Sequence, residues 1–346
     1  SINNLDLIYL TMNTAVKTYT DYNGFIEALR RSESTRRRQR SGIEQDSEIL
    51  KFQPITHADM ETIFHYLSME NGRTTDFSYA GILMWVDFFK YEFAIYKDTL
   101  FIKGVVENDT DTPAFSLPIG KLPIKESFDK IREYCNYNGI PAVLSAVPEY
   151  ALEELEDAGI SSINPLDDWG DYLYDAKMLS TLSGKKMGKK RNHVNKFDSL
   201  YPNHTIKPLD ASNVDSAMEF MKIIDDEGDS TPMAIEERRM TRKLLELIKE
   251  GDIRLEGAVL MVGEDIAAFT IGDVKNDTLF VHVEKASRAF DGSYEKINKE
   301  FAALMCERHP EIQFINREDD SGDEGLRKAK QSYHPIAVLK KYNIAL

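Results

Sequence analysis

Apolar and polar positions follow two different spacings along this chain, and the spacing changes repeatedly from Lys51 onward. In segments such as residues 124–137 the apolar residues recur every three to four positions, which predicts amphipathic helices. In segments such as residues 257–262 they form short apolar runs bounded by turn residues, which predicts strands. The chain beyond residue 51 is therefore predicted to mix helices and strands.

The predicted elements repeat in the same order in two halves of the chain. After opening helices, each half reads strand, strand, strand, helix, strand, helix, strand. In the first half we predict a helix at 57–70, strands at 91–96, 99–106 and 114–118, a helix at 124–137, a strand at 141–147, a helix at 149–158 and a strand at 171–174. In the second half we predict helices at 214–225 and 235–249, strands at 257–262, 266–274 and 278–284, a helix at 294–306, a strand at 312–316, a helix at 322–332 and a strand at 336–342. Cys135 and Cys306 fall late in corresponding helices, and the shared order predicts an internal duplication.

An antiparallel meander followed by helix, strand, helix and strand predicts a mixed sheet with helices on both faces. This order is typical of the acetyltransferase-like (GNAT-like) fold, so we predict an α/β protein with two such domains in tandem. The predicted division is a flexible basic leader at 1–48, a first domain at 49–176 and a second domain at 177–346 that carries the predicted active site. The leader contains six arginines, and it either assists binding to an anionic partner or has no role.

The composition is that of a globular protein with an acidic balance. Asp and Glu outnumber Lys and Arg by 58 to 43, which argues against extensive coating of nucleic acid but permits a local anion site. Two cysteines make a disulfide framework unexpected and fit a reducing cytosol. No segment approaches about 20 apolar residues, and the sequence does not start like a secretory signal. We therefore expect a soluble, cytoplasmic protein.

One basic segment, residues 183–197, contrasts with this acidic background. It reads SGKKMGKKRNHVNKF, and no acidic residue occurs from Ala176 to Phe197. On a helix its lysines would lie four apart on one side, where like charges repel unless an anion neutralises them. We predict that the segment binds an anionic substrate, the alternative being a solvated basic face with helix-ending asparagines and a surface histidine. Its predicted contact residues are Lys185, Lys186, Lys189, Lys190, Arg191, Asn192, His193 and Asn195.

A possible catalytic pair lies on the strand predicted at 278–284. His282 and Glu284 alternate with Phe280, so both point to one face of the sheet. An imidazole and a carboxylate together could act as a base or hold a substrate ammonium. The alternative is a buried histidine with a polar partner, beside a paired glutamate.

A second cluster follows the strand predicted at 312–316. Carboxylates at a strand end, such as Glu318 and Asp319, could hold an amino group. Arg327 and Lys330 are three apart on a helix and would face a phosphate or carboxylate together. The alternative is an ion pair between Glu318 and Arg327 that ties the strand to the helix. Neither cysteine carries a nucleophile signature, and the scattered histidines predict no metal site.

Several blocks of this sequence resemble the soluble bacterial family related to the catalytic domain of phosphatidylglycerol lysyltransferases. The blocks are LSGKKMGKKRNHVNKF (182–197), GAVLMVGEDIAAFTIGD (257–273), HVEKA (282–286), INKEFA (297–302) and INREDDSGDEGLRKAKQSYHP (315–335). A looser match, FSYAGILMWVDFFKYEFAIYKDTLFIKG (77–104), extends the resemblance through the first half.

The resemblance implies a tandem acetyltransferase-like fold that moves an aminoacyl group from tRNA. Those lysyltransferases transfer it to a lipid head group, but no membrane span is evident in this sequence, which disfavours a lipid acceptor. We therefore predict aminoacyl-tRNA as donor, a small or peptide-like amine or hydroxyl as acceptor, and no required cofactor. Tyr333 lies where this fold often keeps a general acid. The predicted catalytic residues are His282, Glu284, Glu318 and Tyr333, and the further substrate-binding residues are Asn298, Arg317, Asp319, Arg327 and Lys330.

Two other functions remain open at this point. Acyl-CoA-dependent relatives hold pyrophosphate on a Gln/Arg-x-x-Gly-x-Gly/Ala turn before a helix. The corresponding stretch here is RAFDGSY (288–294), in which Asp291 adds a negative charge and Tyr294 adds bulk, although simple helix capping explains it equally. An acetyl-CoA-dependent N-acetyltransferase is thus one alternative, and a non-catalytic anion-binding module is the other.

Overall fold

The computed structural model describes residues 16–38, 49–155, 158–227 and 230–346. The chain divides into two compact units. Unit 1 comprises the described residues within 1–72, 89–169 and 340–346, and unit 2 comprises those within 73–88 and 170–339.

Helices and strands alternate through both units. The described helices are α1 (Tyr22–Arg38), α2 (Met60–Leu67), α3 (Tyr79–Trp85), α4 (Ile124–Asn138), α5 (Leu152–Leu155), α6 (Ala176–Thr181), α7 (Gly188–Leu200), α8 (Val214–Glu227), α9 (Pro232–Glu250), α10 (Ser293–Arg308) and α11 (Glu324–Gln331). The described strands are β1 (Lys17–Thr18), β2 (Gln53–Pro54), β3 (Glu92–Tyr96), β4 (Thr99–Val106), β5 (Asp109–Phe115), β6 (Ile119–Gly120), β7 (Val143–Pro148), β8 (Ser162–Pro165), β9 (Asp171–Asp175), β10 (His204–Pro208), β11 (Leu255–Val262), β12 (Asp265–Lys275), β13 (Thr278–Ala286), β14 (Phe314–Asn316), β15 (Ala337–Leu339) and β16 (Lys341–Ala345).

Unit 1 is built on a mixed sheet whose nine described strands run in the order β1-β8-β16-β7-β5-β4-β3-β2, with β6 paired to β4. Strands β3, β4 and β5 form an antiparallel meander, and β5 runs parallel to β7. Lys97 and Asp98 both have positive φ, as a tight two-residue hairpin turn between β3 and β4 requires. The core of this unit includes Phe101, Phe115 and Phe128, each at most 1% exposed.

Unit 2 is built on a mixed sheet whose seven described strands run in the order β10-β11-β12-β13-β14-β9-β15. The meander β11-β12-β13 is antiparallel, and β14 is parallel to β13. Strand β12 is buried along most of its length, as expected of a central strand covered on both faces. Helix α10 packs on the sheet through Ile297, Phe301 and Met305. The predicted fold class, two tandem α/β units with mixed sheets, is confirmed.

The strand that closes each predicted half of the chain pairs with strands from the other half. Strand β9 lies between β14 and β15, and β16 lies between β7 and β8. Residues 170–176 consequently belong to unit 2 and residues 340–346 to unit 1, and residues 73–88, which include α3, belong to unit 2 as well. The compact units therefore do not divide at the predicted 176/177 boundary, because periodicity identifies a strand but does not identify its partner.

Part of the predicted flexible leader has regular structure. Helix α1 presents Phe25, Ile26 and Leu29 to a small apolar cluster on the sheet of unit 1, and β1 pairs with β8. The three residues are at most 8% exposed. The prediction of a flexible leader is therefore wrong for residues 16–38, where burial of an apolar face stabilises the helix. The rest of the predicted leader lies outside the described residues.

Candidate functional site

The central strands of unit 2 separate at one end of the sheet. The parallel pairing of β13 with β14 covers residues 278–280 and 314–316 and then stops. Beyond it, β13 continues beside β12 to Ala286, while the backbone that follows β14 turns away after Asn316. A cavity of about 760 Å³ opens where the two strands part.

Seven of the residues predicted from the sequence line this cavity. They are Lys190, His282, Glu284, Arg317, Glu318, Lys330 and Tyr333. Nine further residues, which the sequence did not single out as site residues, complete the lining. They are Glu237, Val281, Lys285, Arg288, Tyr294, Glu295, Gly325, Leu326 and Ala329. The cavity thus combines carboxylates, cations and tyrosines within one unit.

His282 is held between two carboxylates. Its Nδ1 lies 2.7 Å from Glu318 Oε1, and its Nε2 lies 2.7 Å from Asp273 Oδ1. Burial by itself would lower the pKa of His282, but the hydrogen bonds to the two carboxylates raise it to about 10. The ring is therefore an imidazolium at neutral pH and donates from both nitrogens. This arrangement makes His282 a positioning residue for Glu318 and leaves it no acceptor nitrogen to serve as a base.

Asp273 is the member of this cluster that sequence reasoning missed. Its side chain is 1% exposed near the end of β12 and accepts hydrogen bonds from the backbone N–H groups of Tyr79 and Ala80 at 3.1 and 3.0 Å. Those two groups begin α3, where unsatisfied N–H groups favour a carboxylate. An acid between the apolar residues Ile271 and Val274 of a predicted central strand was the available signal, because such a group is buried only when it has partners.

Glu318 follows the end of β14 in a backbone conformation that non-glycine residues adopt infrequently. Its φ is 59°, and its backbone N–H donates to Asn316 Oδ1 at 2.7 Å. The side chain is 24% exposed, so it bonds to His282 and also remains in contact with the cavity. Burial raises the pKa of Glu318, an effect that the contact with His282 only partly offsets. Glu318 is therefore a carboxylate of increased basicity at the cavity wall.

A second polar cluster forms the wall beside it. Arg317 donates to Glu284 at 2.7 Å, and Glu284 also accepts from Asn298 at 3.2 Å. The Arg317 guanidinium lies 4.9 Å from the centre of the Tyr333 ring. Glu284 and Arg317 therefore form a partly buried ion pair. Asn298, which does not line the cavity, donates a hydrogen bond to Glu284.

Two partly buried lysines, Lys190 and Lys330, line the cavity together with Tyr333. Lys190 Nζ lies 4.0 Å from the centre of the Tyr333 ring and 3.3 Å from Glu295, and burial lowers its pKa. Lys330 Nζ donates to the carbonyl of Arg317 at 2.5 Å, and burial lowers the pKa of Lys330 as well. The 5% exposed Tyr333 keeps its proton, because burial raises the pKa of its phenol.

Two predicted residues of this region make other contacts. Arg327 does not line the cavity but forms a bidentate ion pair with Asp320 at 2.8 and 2.9 Å. Asp319 Oδ1 accepts from Ser321, 2.8 Å from both its backbone N–H and its hydroxyl. The expectation that Arg327 and Lys330 face one ligand is therefore wrong, and so is the alternative pairing of Arg327 with Glu318. The turn after Glu318 brings Asp320 under Arg327 instead.

The basic segment is helical only in its second part. Lys185 and Lys186 lie in a turn before α7, so the predicted pairing of lysines four apart along one helix is wrong. Gly184 has φ of 83°, which holds that turn outside helical geometry. Lys185, Lys186 and Lys189 are exposed and form no ion pair with any described residue.

The remaining predicted residues of the segment do not line the cavity. Arg191 donates to the carbonyls of Leu182 and Gly184, so it stabilises the preceding turn. Asn192 and Asn195 are exposed within α7, and His193 is partly buried there. Neither asparagine ends the helix.

The turn before α10 is packed against α7. Gly292 has φ of 87°, and a Cβ atom there would lie 2.7 Å from the carbonyl oxygen of His193 and 3.2 Å from Cβ of Phe197. Asp291 accepts a hydrogen bond from Lys196, a residue of α7. The side of this turn that faces α7 is therefore occupied by protein.

Within the described ranges, no group of three or more His, Cys, Asp or Glu side chains is arranged to hold a metal ion. No helix among the described residues has both the length and the apolar character needed to cross a membrane.

Comparison with known proteins relates the chain to one family. The family described as phosphatidylglycerol lysyltransferase, C-terminal, matches residues 70–345. A conserved protein of unknown function from Bacteroides thetaiotaomicron is 31% identical, with a TM-score of 0.76 over 86% of this chain and 100% of that one. An uncharacterized protein of Mycoplasmoides gallisepticum is 26% identical over 50% of this chain, and the matched region spans 54% of that protein. The structure of L-PGS from Bacillus licheniformis is 14% identical, with a TM-score of 0.60 over 86% of this chain and 94% of that one, and shares the fold.

Proposed function

Because this chain belongs to the phosphatidylglycerol lysyltransferase C-terminal family, we propose that unit 2 transfers an aminoacyl group from aminoacyl-tRNA to an amine or hydroxyl acceptor. The acceptor is a small or peptide-like molecule, and no further cofactor takes part. The cavity between β13 and β14 is the proposed reaction site.

The observation that carries this proposal is the continuity between the basic segment and the cavity. Lys185, Lys186 and Lys189 are exposed and form no ion pair with described residues, whereas the next residue, Lys190, reaches the cavity wall. Lysines neutralise the backbone phosphates of a nucleic acid whatever its base sequence is. One short stretch can therefore hold the polyanionic carrier while its reactive end enters the cavity.

The charges within the cavity suit an aminoacyl ester. The α-ammonium of an aminoacyl group needs hydrogen-bond acceptors, and the carboxylates of Glu284 and Glu295, each also paired with a cation of the protein, line the cavity. Tyr333, which keeps its proton, can donate a hydrogen bond to the ester carbonyl as negative charge develops on its oxygen. Glu318 is then the group available to accept the proton of the attacking nucleophile.

The reaction requires one bond to form and one to break. The acceptor nitrogen or oxygen attacks the ester carbonyl carbon, and its proton passes to the Glu318 carboxylate. The bond between that carbon and the ribose oxygen of the tRNA breaks as the carbonyl reforms. The proton then passes from Glu318 to the departing ribose oxygen, which returns the carboxylate to its starting state.

The packing of α7 against the turn before α10 supports a donor other than acyl-CoA. Relatives that bind acyl-CoA use that turn for pyrophosphate, whereas here His193 and Phe197 lie against Gly292. Asp291 also places a carboxylate in the same turn. These contacts support the aminoacyl-tRNA reading over the acetyl-CoA alternative.

We expect acetyl-CoA to leave the thermal stability of the protein unchanged, because a ligand that does not bind the native state does not shift its unfolding equilibrium. Bulk tRNA at low salt should raise the unfolding temperature under the same conditions. The measurement is thermal unfolding across a concentration series of each ligand. A saturable rise with acetyl-CoA would contradict the proposed donor.

We expect the double substitution Lys186→Ala plus Lys189→Ala to weaken tRNA binding and reduce its salt dependence. Each phosphate contact contributes roughly 0.7 to 0.9 to the slope of log K against log salt, so losing two contacts should reduce the slope by about 1.5. The measurement is equilibrium binding of bulk tRNA across a salt series. Lys190 is left intact because it also contacts Tyr333 and Glu295.

The matched control is Lys222→Ala plus Lys243→Ala, which removes the same charge from exposed positions on α8 and α9. This variant should retain the salt slope of the unaltered protein. Equal slopes for the two double variants would exclude the basic segment from carrier binding and would contradict the proposal.

A further inference from the structure

The rim of the cavity carries an exposed aromatic residue and an exposed arginine. Tyr294 is 47% exposed in the first turn of α10, and Arg288 is exposed in the loop that leads to it. Both side chains line the cavity. A large aromatic side chain left half in solvent at a polar cavity is a place where a planar ligand can bind.

Arg288 differs from the other cations of the cavity. Each of those contacts an acceptor of the protein: Lys190 contacts Glu295 at 3.3 Å, Lys285 contacts Glu237 at 2.8 Å, Arg317 contacts Glu284 at 2.7 Å and Lys330 contacts a backbone carbonyl at 2.5 Å. Arg288 has no ion pair or hydrogen bond to any residue in the described part of the chain. Its guanidinium is therefore the cation of the cavity that is available to an anion of the ligand.

The chemistry of the donor places a nucleotide at this rim. In an aminoacyl ester the carbonyl carbon is bonded to a ribose oxygen of the terminal nucleotide. When the carbonyl lies beside Glu318, the attached base and its 5′-phosphate must remain near the mouth of the cavity. A base needs a stacking surface and a phosphate needs a cation.

We propose that Tyr294 and Arg288 form the subsite for the 3′-terminal adenosine of the tRNA, with the tyrosine ring stacked on adenine and the guanidinium on its 5′-phosphate. This inference rests on the proposed function, because it assumes that the ester enters the cavity. It explains why a bulky residue occupies position 294 at the start of α10. It also assigns different roles to the two residues, since stacking requires the base to be present whereas the ion pair does not.

The test uses two fluorescently labelled RNA hairpins with a 3′-CCA overhang, one complete and one with an abasic ribose as its last nucleotide. The unaltered protein should bind the complete hairpin about tenfold more tightly, within the range that one stacked base provides. Tyr294→Ala should lose that difference while binding the abasic hairpin unchanged, and Tyr294→Phe should keep it. Arg288→Gln should weaken both hairpins by the same factor and lower the salt slope by about one.

Tyr137→Ala is the control, because it removes a 74% exposed tyrosine from unit 1. It should leave the difference between the hairpins intact. Equal affinity of the unaltered protein for the two hairpins would overturn the subsite, and so would a Tyr294→Ala variant that weakens both equally. If aminoacyl transfer still occurs in either case, the proposed function stands without the subsite. If neither hairpin binds and no transfer occurs, both fail.

Discussion

The substitution Glu318→Gln is expected to lower the rate of aminoacyl transfer by about 10²- to 10⁴-fold, the usual contribution of a positioned general base. Gln keeps the shape of the side chain and can still accept a hydrogen bond from His282 through its amide oxygen. It cannot take up a proton from the nucleophile. The loss should therefore appear in kcat more than in KM, with the fold retained.

The matched control is Glu295→Gln, which neutralises another carboxylate of the same cavity that contacts Lys190 but not His282. This variant should change kcat much less than Glu318→Gln does. The unaltered enzyme should lose activity as the pH falls through the pKa of Glu318, and burial places that pKa above the ordinary value of 4.5. A Glu318→Gln variant with unchanged kcat would remove Glu318 from the proton path.

The substitution His282→Ala is expected to destabilise the protein by about 3–5 kcal/mol, because it leaves a buried carboxylate without its cation. Asp273 is 1% exposed and, among the described residues, would keep the two N–H groups of α3 as its hydrogen-bond partners. The measurement is the free energy of unfolding from urea titration with circular dichroism. His309→Ala is the control, since its two carboxylate contacts are partly exposed and its loss should cost at most about 1 kcal/mol.

The pH dependence of stability provides a second signature of His282. Its pKa rises from the ordinary 6.5 to about 10 in the folded protein, so the folded state keeps a proton that the unfolded state loses between these values. The resulting stabilisation is complete below pH 6.5 and is lost as the pH rises toward 10, at up to about 1.4 kcal/mol per pH unit. His282→Ala should lack this component of the slope. An unchanged slope in the variant would show that His282 is not held as an imidazolium.

Most elements of the fold could be predicted from periodicity, but their pairing could not. The hairpin from β12 to β13 and the helix α10 follow from local patterns, with each bound predicted to within two residues. Strand β10 was missed because its residues are mostly exposed and show no buried alternation. The exchange of β9 and β16 between the sheets depends on contacts more than 140 residues apart, such as Leu173 with Asn316, which no local pattern encodes.

The site was predicted in part for a similar reason. His282 and Glu318 were found because polar residues at the ends of central strands are conspicuous in the sequence. Their direct contact results from the register of β13 against β14, in which Phe280 pairs with Asn316 two residues before each of them. Arg327 was assigned to the wrong partner because helical spacing fixes which side of a helix a residue occupies, but not which loop packs beneath it. The role of Asp273 could not be predicted, because it depends on hydrogen bonds from α3, a helix from an earlier part of the chain.

The most direct test of the central claim is transfer from a tRNA pool charged with radiolabelled amino acids. The protein is incubated with this pool and the small-molecule fraction of a bacterial extract, and radioactivity is followed in products that are neither RNA nor free amino acid. We expect labelled product with the unaltered protein, no requirement for acetyl-CoA, and at least about 100-fold less with Glu318→Gln. Product that forms only when acetyl-CoA is added, or at the same rate with Glu318→Gln, would contradict aminoacyl transfer in this cavity.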